Sequence, residues 1–192
     1  MIQRPSNWSE IKEFSGRAKL PAGAYICRIM RAEVENNSYG DRLAIYFDIE
    51  DGEFAGYFDD DYNSNTRANK KWRGVYKPFL PKNDGSEKDE WTKAVFKGLI
   101  TSVEKSNRGY VWDWNELSLS GKVVGIIFRS EEWSFNDRHG WSARPFRACS
   151  VDSVQDGTYT VPKEKALADS SSSASAYSAF SEAEDDNEEL PF

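Results

Sequence analysis

Residues 42–49 limit what this chain can fold into more than any other stretch. Leu43, Ile45, Phe47 and Ile49 alternate with Arg42, Ala44, Tyr46 and Asp48. Successive side chains of a strand point to opposite faces, so this is a strand with one face on a core and the other towards solvent or a ligand.

The neighbouring sequence supplies partners for it. Residues 25–34 read as a strand whose apolar phase is odd at Tyr25, Cys27 and Ile29, then even at Ala32 and Val34. A phase change within one strand predicts a bulge or a strong bend. Asn36, Asn37 and Gly40 mark the turn between the two strands. Asp51-Gly52 signals a further hairpin, with Phe54–Phe58 as the third strand. Residues 59–86 then read as a long loop, of a length that is often functional. Ser86, with Asp89 three residues on, opens a helix with an apolar stripe at Trp91, Val95, Leu99 and Val103.

Val123–Arg129 is apolar on both faces and reads as a covered strand. Residues 136–140 are a turn, and Trp141–Val151 is the return strand, with Pro145 marking an edge or a bulge. Residues 152–165 close the unit as a loop, with one more short strand at Thr158–Val161.

The expected order is β-β-β-α-β-β, mainly β. It is that of an OB-fold-like five-stranded Greek-key barrel, an architecture that binds oligonucleotides across strands two and three and their flanking loops. An RNA-recognition sheet would need a helix after its first strand, and residues 35–42 leave no room for one. The domain division is a helix or hook over 1–20 packing on the barrel, the barrel over 21–165, a disordered Ser/Ala-rich linker over 166–184, and an acidic tail over 185–192.

Charge must be divided in the same way. The chain of 192 residues has a formal net charge of −7. Seven acids and no Lys or Arg lie in residues 166–192, which leaves 25 acids against 25 bases elsewhere. The body is neutral, so overall acidity does not argue against binding of nucleic acid. No apolar run reaches the length of a membrane span, and Met1-Ile2-Gln3-Arg4-Pro5 has no apolar signal core. Cys27 and Cys149 have no ligand spacing around them and read as reduced thiols of a cytoplasmic protein.

Three stretches are candidates for contact with single-stranded nucleic acid, in which cations follow phosphates and rings stack on bases. Lys70, Lys71, Trp72, Arg73, Tyr76 and Lys77 interleave charge with rings, although Trp72 and Tyr76 also suit anchors that tie the loop to the barrel. Arg42 and Tyr46 share the outward face of their strand, with Tyr57 expected across the hairpin and Arg28 on the strand before. Arg129, Arg138 and Arg144 surround the last hairpin, together with Trp133 and Trp141, which also suit a cross-strand pair.

Asp59-Asp60-Asp61-Tyr62-Asn63-Ser64-Asn65 invites a calcium-loop reading. Ser64 stands where that loop needs Gly, and Lys70 where it needs Glu. A small metal-dependent nuclease using Asp48, Asp59 and Asp61 is the alternative function, and a protein-binding adaptor is another. His139 is the only histidine, and neither a partnered nucleophile nor a phosphate loop is visible. The expectation is a binding protein, not an enzyme, without metal or cofactor.

The chain ends Asp185-Asp186-Asn187-Glu188-Glu189-Leu190-Pro191-Phe192. A terminal ring and α-carboxylate behind a run of acids suit capture by a basic, apolar partner pocket. This end resembles the acidic tip of bacterial-type single-stranded DNA-binding proteins. Leu20-Pro21-Ala22-Gly23-Ala24-Tyr25, Lys71-Trp72, Ser106-Asn107, Trp112-Asp113-Trp114 and Leu119-Ser120-Gly121-Lys122 resemble the phage-encoded members of that class over residues 8–162. The resemblance implies a non-catalytic OB-fold protein of phage DNA replication or recombination in the cytoplasm of a bacterial host. It also implies that host or phage replication and recombination proteins bind the tail. A homo-oligomer is compatible with this reading, and a membrane partner is not expected.

Overall fold

The computed structural model describes residues 3–4, 6–9 and 18–167. The expected linker beyond residue 167 and the acidic tail lie outside the described residues, as does most of the expected N-terminal helix. Within the latter, residues 6–9 form a turn.

The protein is mainly β. Strands β1 (Gly23–Glu35), β2 (Arg42–Ile49), β3 (Val75–Tyr76), β4 (Val123–Phe135) and β5 (Arg138–Cys149) form one antiparallel sheet in the order β3-β2-β1-β4-β5. The sheet curls into a half-barrel, with β1 central and no hydrogen-bonded seam between β3 and β5. Helices α1 (Tyr57–Ser64), α2 (Glu87–Ser106) and α3 (Val151–Gln155) complete it, with a 3-10 turn at Glu116–Leu119.

The alternation in β2 is borne out: Leu43, Ile45, Phe47 and Ile49 are all buried. A side chain such as Phe47 contributes about 1.5–3 kcal/mol by leaving water. The expected bulge in β1 is present too. The register runs Ile29↔Phe47 and then Arg31↔Tyr46, so Met30 is the extra residue. The bulge carries the core phase from Ile29 to Ala32. In β5, Phe128 pairs with Pro145 and Ile127 with Arg147, so Phe146 is bulged beside the proline that foretold it.

The third strand is not where the sequence pattern put it. Phe54–Phe58 does not form a strand. Both carboxylate oxygens of Asp48 accept backbone hydrogen bonds, from Phe58 N at 2.9 Å and Asp59 N at 3.0 Å, and so start α1. Gly56, at φ 73°, turns the chain into that helix. Phe58 then packs edge-on to Phe47, with centroids 5.5 Å apart, and stacks on Phe128 at 6.3 Å.

The place beside β2 is filled by residues 74–80. Phe47 N donates to Gly74 O, Leu43 N to Pro78 O, and Leu80 N to Asp41 O. Pro78 has no N–H, so only Val75–Tyr76 counts as regular strand. A Cβ at Gly74 would lie 2.3 Å from Phe47 O, so only glycine permits this approach.

Helix α2 uses Ser86 as expected, its hydroxyl accepting from Asp89 N at 3.2 Å. Asp89 does not return the bond. It accepts from Lys82 N at 2.7 Å and Asp84 N at 3.2 Å, and pairs with Lys93 at 3.1 Å. Burial opposes its charge, but these partners outweigh burial and hold its carboxyl below the usual range. The buried stripe of α2 runs through Thr92, Phe96, Leu99 and Val103, while Trp91 is exposed.

Two of the short motifs prove to be joints. Asn107 Nδ2 donates to Val103 O and Val123 O, and its Oδ1 accepts from Val123 N, tying the end of α2 to the start of β4. Leu119 is fully buried, and Gly121 N and Lys122 O exchange hydrogen bonds with Ile29, continuing the sheet past β4. No strand forms at Thr158–Val161. The chain instead meets β4 at Lys165, whose N donates to Ser130 O and whose O accepts from Glu132 N.

Candidate nucleic-acid interface

β2 presents its non-core face outward. At its start, the Arg42 guanidinium lies over the ring of Phe79, 4.1 Å from the centroid. At its middle, Arg31 lies over Tyr46 at 3.6 Å. Beside its end, Lys70 Nζ lies over Tyr62 at 4.3 Å. Main-chain pairing sets the first two of these pairs. Arg31 opposes Tyr46 because of the Met30 bulge. Phe79 bridges to Arg42 because residues 74–80 run along β2. Tyr62 sits in the last turn of the helix that Asp48 starts.

A cation over a ring face is an electrostatic attraction. A guanidinium plane placed this way also offers a stacking surface for an unpaired base. Among the described residues, the buried Arg42 Nε has no hydrogen-bond partner. Burial, and then a hydrogen bond to Glu33, pushes the Tyr46 hydroxyl up, so it stays protonated.

Several cations of this face are already paired. Lys77 Nζ contacts Glu35 at 2.7 Å, Arg31 contacts Glu33 at 2.6 Å, and Arg73 reaches Asp61 at 3.4 Å. Arg28 grips Glu50 through Nε at 2.7 Å and donates to Gly121 O at 3.0 Å. The hydrogen bond to Arg28 holds the Glu50 carboxyl below its ordinary value. All these groups are partly exposed, so the pairs are weak in water and exchange readily for phosphate.

Three expected contact residues face inward. Tyr76 is buried in the core, where burial pushes its hydroxyl up to about 12. Tyr57 packs beside Phe54 and Phe58, and its hydroxyl accepts from Leu20 N at 3.4 Å. Trp72 is half-buried against the core, its Nε1 donating to Phe47 O at 3.1 Å and Gly74 O at 3.2 Å. The Trp72 and Tyr76 rings thus anchor the segment, and Lys71 is left exposed on it.

The last hairpin is a projecting arm. β1 pairs with β4 only from Val123 to Phe128, and beyond that β4 and β5 run on as a two-stranded ribbon. Asn136 and Asp137 both take positive φ, which makes a two-residue type I′ turn. Trp133 opposes Gly140 and Trp141 opposes Glu132, so the two indoles lie on opposite faces of the ribbon and form no cross-strand pair. Trp133, Phe135, Arg138, Arg129 and Arg144 share one face by parity. Arg129 is held by Glu131 at 2.6 Å and lies over Phe146 at 4.6 Å.

The acids of the alternative reading are placed as well. Asp48 spends both oxygens on the start of α1, and Asp59 accepts from Asn63 Nδ2 at 2.9 Å. Among the described residues, no three His, Cys, Asp or Glu side chains gather in a metal-ligating group.

Residues not singled out by pattern complete the candidate interface. Arg31 was hidden by the phase change, Phe79 by the prolines around it, and Tyr62 by the acidic run that carries it. No protein-family model and no curated protein matches this chain. Among the described residues, no helix is long and apolar enough to cross a membrane.

Proposed function

We propose that this protein binds single-stranded DNA, coating it during phage DNA replication or recombination, and recruits partner proteins through its acidic C-terminus. The observation that carries the reading is the row of cation–ring pairs along β2: Arg42 on Phe79, Arg31 on Tyr46, Lys70 on Tyr62. Rings and guanidinium planes accept any base, and Lys71, Arg73 and Lys77 beside them follow the phosphates, which gives binding without sequence preference. Arg129 and Arg144, paired at the root of the arm, extend the cationic path. The resemblance of the residue 185–192 end to bacterial single-stranded DNA-binding tails supports the recruiting role.

The test is a titration of intrinsic tryptophan fluorescence with oligo-dT at two salt concentrations, alongside duplex DNA and oligo-U. Salt-sensitive binding that favours oligo-dT over duplex supports the proposal. No binding, or magnesium-dependent cleavage of the strand, overturns it.

A further inference from the structure

Two apolar surfaces with no cover among the described residues lie at opposite ends of β4. The first is in the connection between α2 and β4. Val111 is 76% exposed, Trp114 80% and Leu117 69%. They are held firmly. Asp113 Oδ1 accepts from Asn115 N at 3.1 Å and from Ser118 Oγ at 2.8 Å, and Asn115 Oδ1 accepts from Leu117 N at 3.1 Å. Trp114 takes φ 63°, a conformation that costs an L-residue energy, and its ring lies beside that of Trp112, with centroids 6.4 Å apart. Asp113 and Glu116 lie within this patch. The hydrogen bond from Ser118, and then that from Asn115, hold Asp113 below the ordinary carboxylate range, so it is an anion at neutral pH.

The second surface is the tip of the arm. Phe135 is 71% exposed and Trp133 stands beside it, with Arg138 and Arg144 on the same face. Among the described residues, neither arginine has an ion-pair partner.

One surface is apolar with acids and the other apolar with cations. The 13 residues of β4 separate them, a span of about 40 Å, so they cannot meet within one copy. We propose that copies of this chain join head to tail, the arm tip of one copy seating Phe135 and Trp133 on the Val111–Trp114–Leu117 patch of the next, with Arg138 facing Asp113 and Glu116. The two surfaces differ, so the contact is heterologous and leaves an open end on each assembly; such contacts build filaments when the rotation does not close. The proposal does not depend on nucleic acid. If the strand-coating reading holds, the same contact makes coating cooperative.

The experiment is analytical ultracentrifugation of the full chain without DNA, at low and high salt. Wild type should give an average mass that rises with concentration and falls with salt. Trp114→Ala and Phe135→Ala should each be monomeric, and both positions are exposed enough for the fold to survive, as circular dichroism checks. An equimolar mixture of the two variants should form a species of twice the monomer mass and stop there, because only one working patch and one working arm remain. Wild type that stays monomeric, variants that associate like wild type, or a mixture that stays monomeric would each overturn the proposal. Association lost on deleting residues 185–192 would make the tail the occupant, and would overturn it too.

Discussion

Along β2, Tyr46, Phe79 and Tyr62 each lie under a cation, whereas on the arm no cation among the described residues covers Trp133 or Phe135. The two regions have similar residues and different support. β2 is flanked by β1 and by residues 74–80, over a fully buried face. Among the described residues, the outer arm has its own two strands, the Lys165 bonds at one edge and the bond from Leu167 N to Glu132. A two-stranded ribbon is marginal without further packing. A surface already fixed in its stacking geometry loses little entropy when a strand docks. An unsupported ribbon with bare rings suits a contact that orders on association.

The largest expected effect strikes the point where both regions are rooted. Phe128 touches Tyr25, Phe47 and Phe58 at once. Phe128→Ala should cost about 3–5 kcal/mol in chemical denaturation, as for other buried aromatics. A loss below 1 kcal/mol would mean that the arm and α1 are not seated through this ring.

A pair of substitutions separates anchor from contact. Trp72→Ala removes a half-buried ring and its two hydrogen bonds, and should lower stability by about 2 kcal/mol. Tyr46→Ala should leave the denaturation midpoint nearly unchanged but weaken oligo-dT binding by about 1–3 kcal/mol. The reverse assignment would return the stacking role to the loop.

That reversal of roles shows what could be read in the sequence. Alternation in β2, the β1 bulge, the Pro145 bulge and the succession of α2, β4 and β5 follow from local chemistry, and all are visible in residue type. The third strand was not legible. Its pairing crosses Pro78 and depends on Gly74 approaching Phe47, a tertiary contact with no periodic trace. Phe54–Phe58 looked like a strand because an apolar run does not reveal that Asp48, ten residues before Phe58, will cap a helix there. The site was half legible for the same reason. Cationic and aromatic residues could be listed, but which rings turn inward depends on that misplaced strand: Tyr76 points to the core, and Phe79 joins the outward face.

A smaller effect concerns the paired cations. Lys77→Ala removes one cation that follows the phosphates. The slope of log affinity against log salt should become shallower by about 0.7, the value for one single-strand phosphate. An unchanged slope would place the strand away from β3.

The most direct test is photocrosslinking to oligo-dT that carries 5-bromodeoxyuridine, with adducts mapped by mass spectrometry. Adducts should fall on Tyr46, Tyr62 and Phe79, and should disappear when excess unlabelled oligo-dT competes. Adducts confined to Trp114 or to the arm tip, with the rings along β2 unmarked, would contradict the assignment of this face to the single strand.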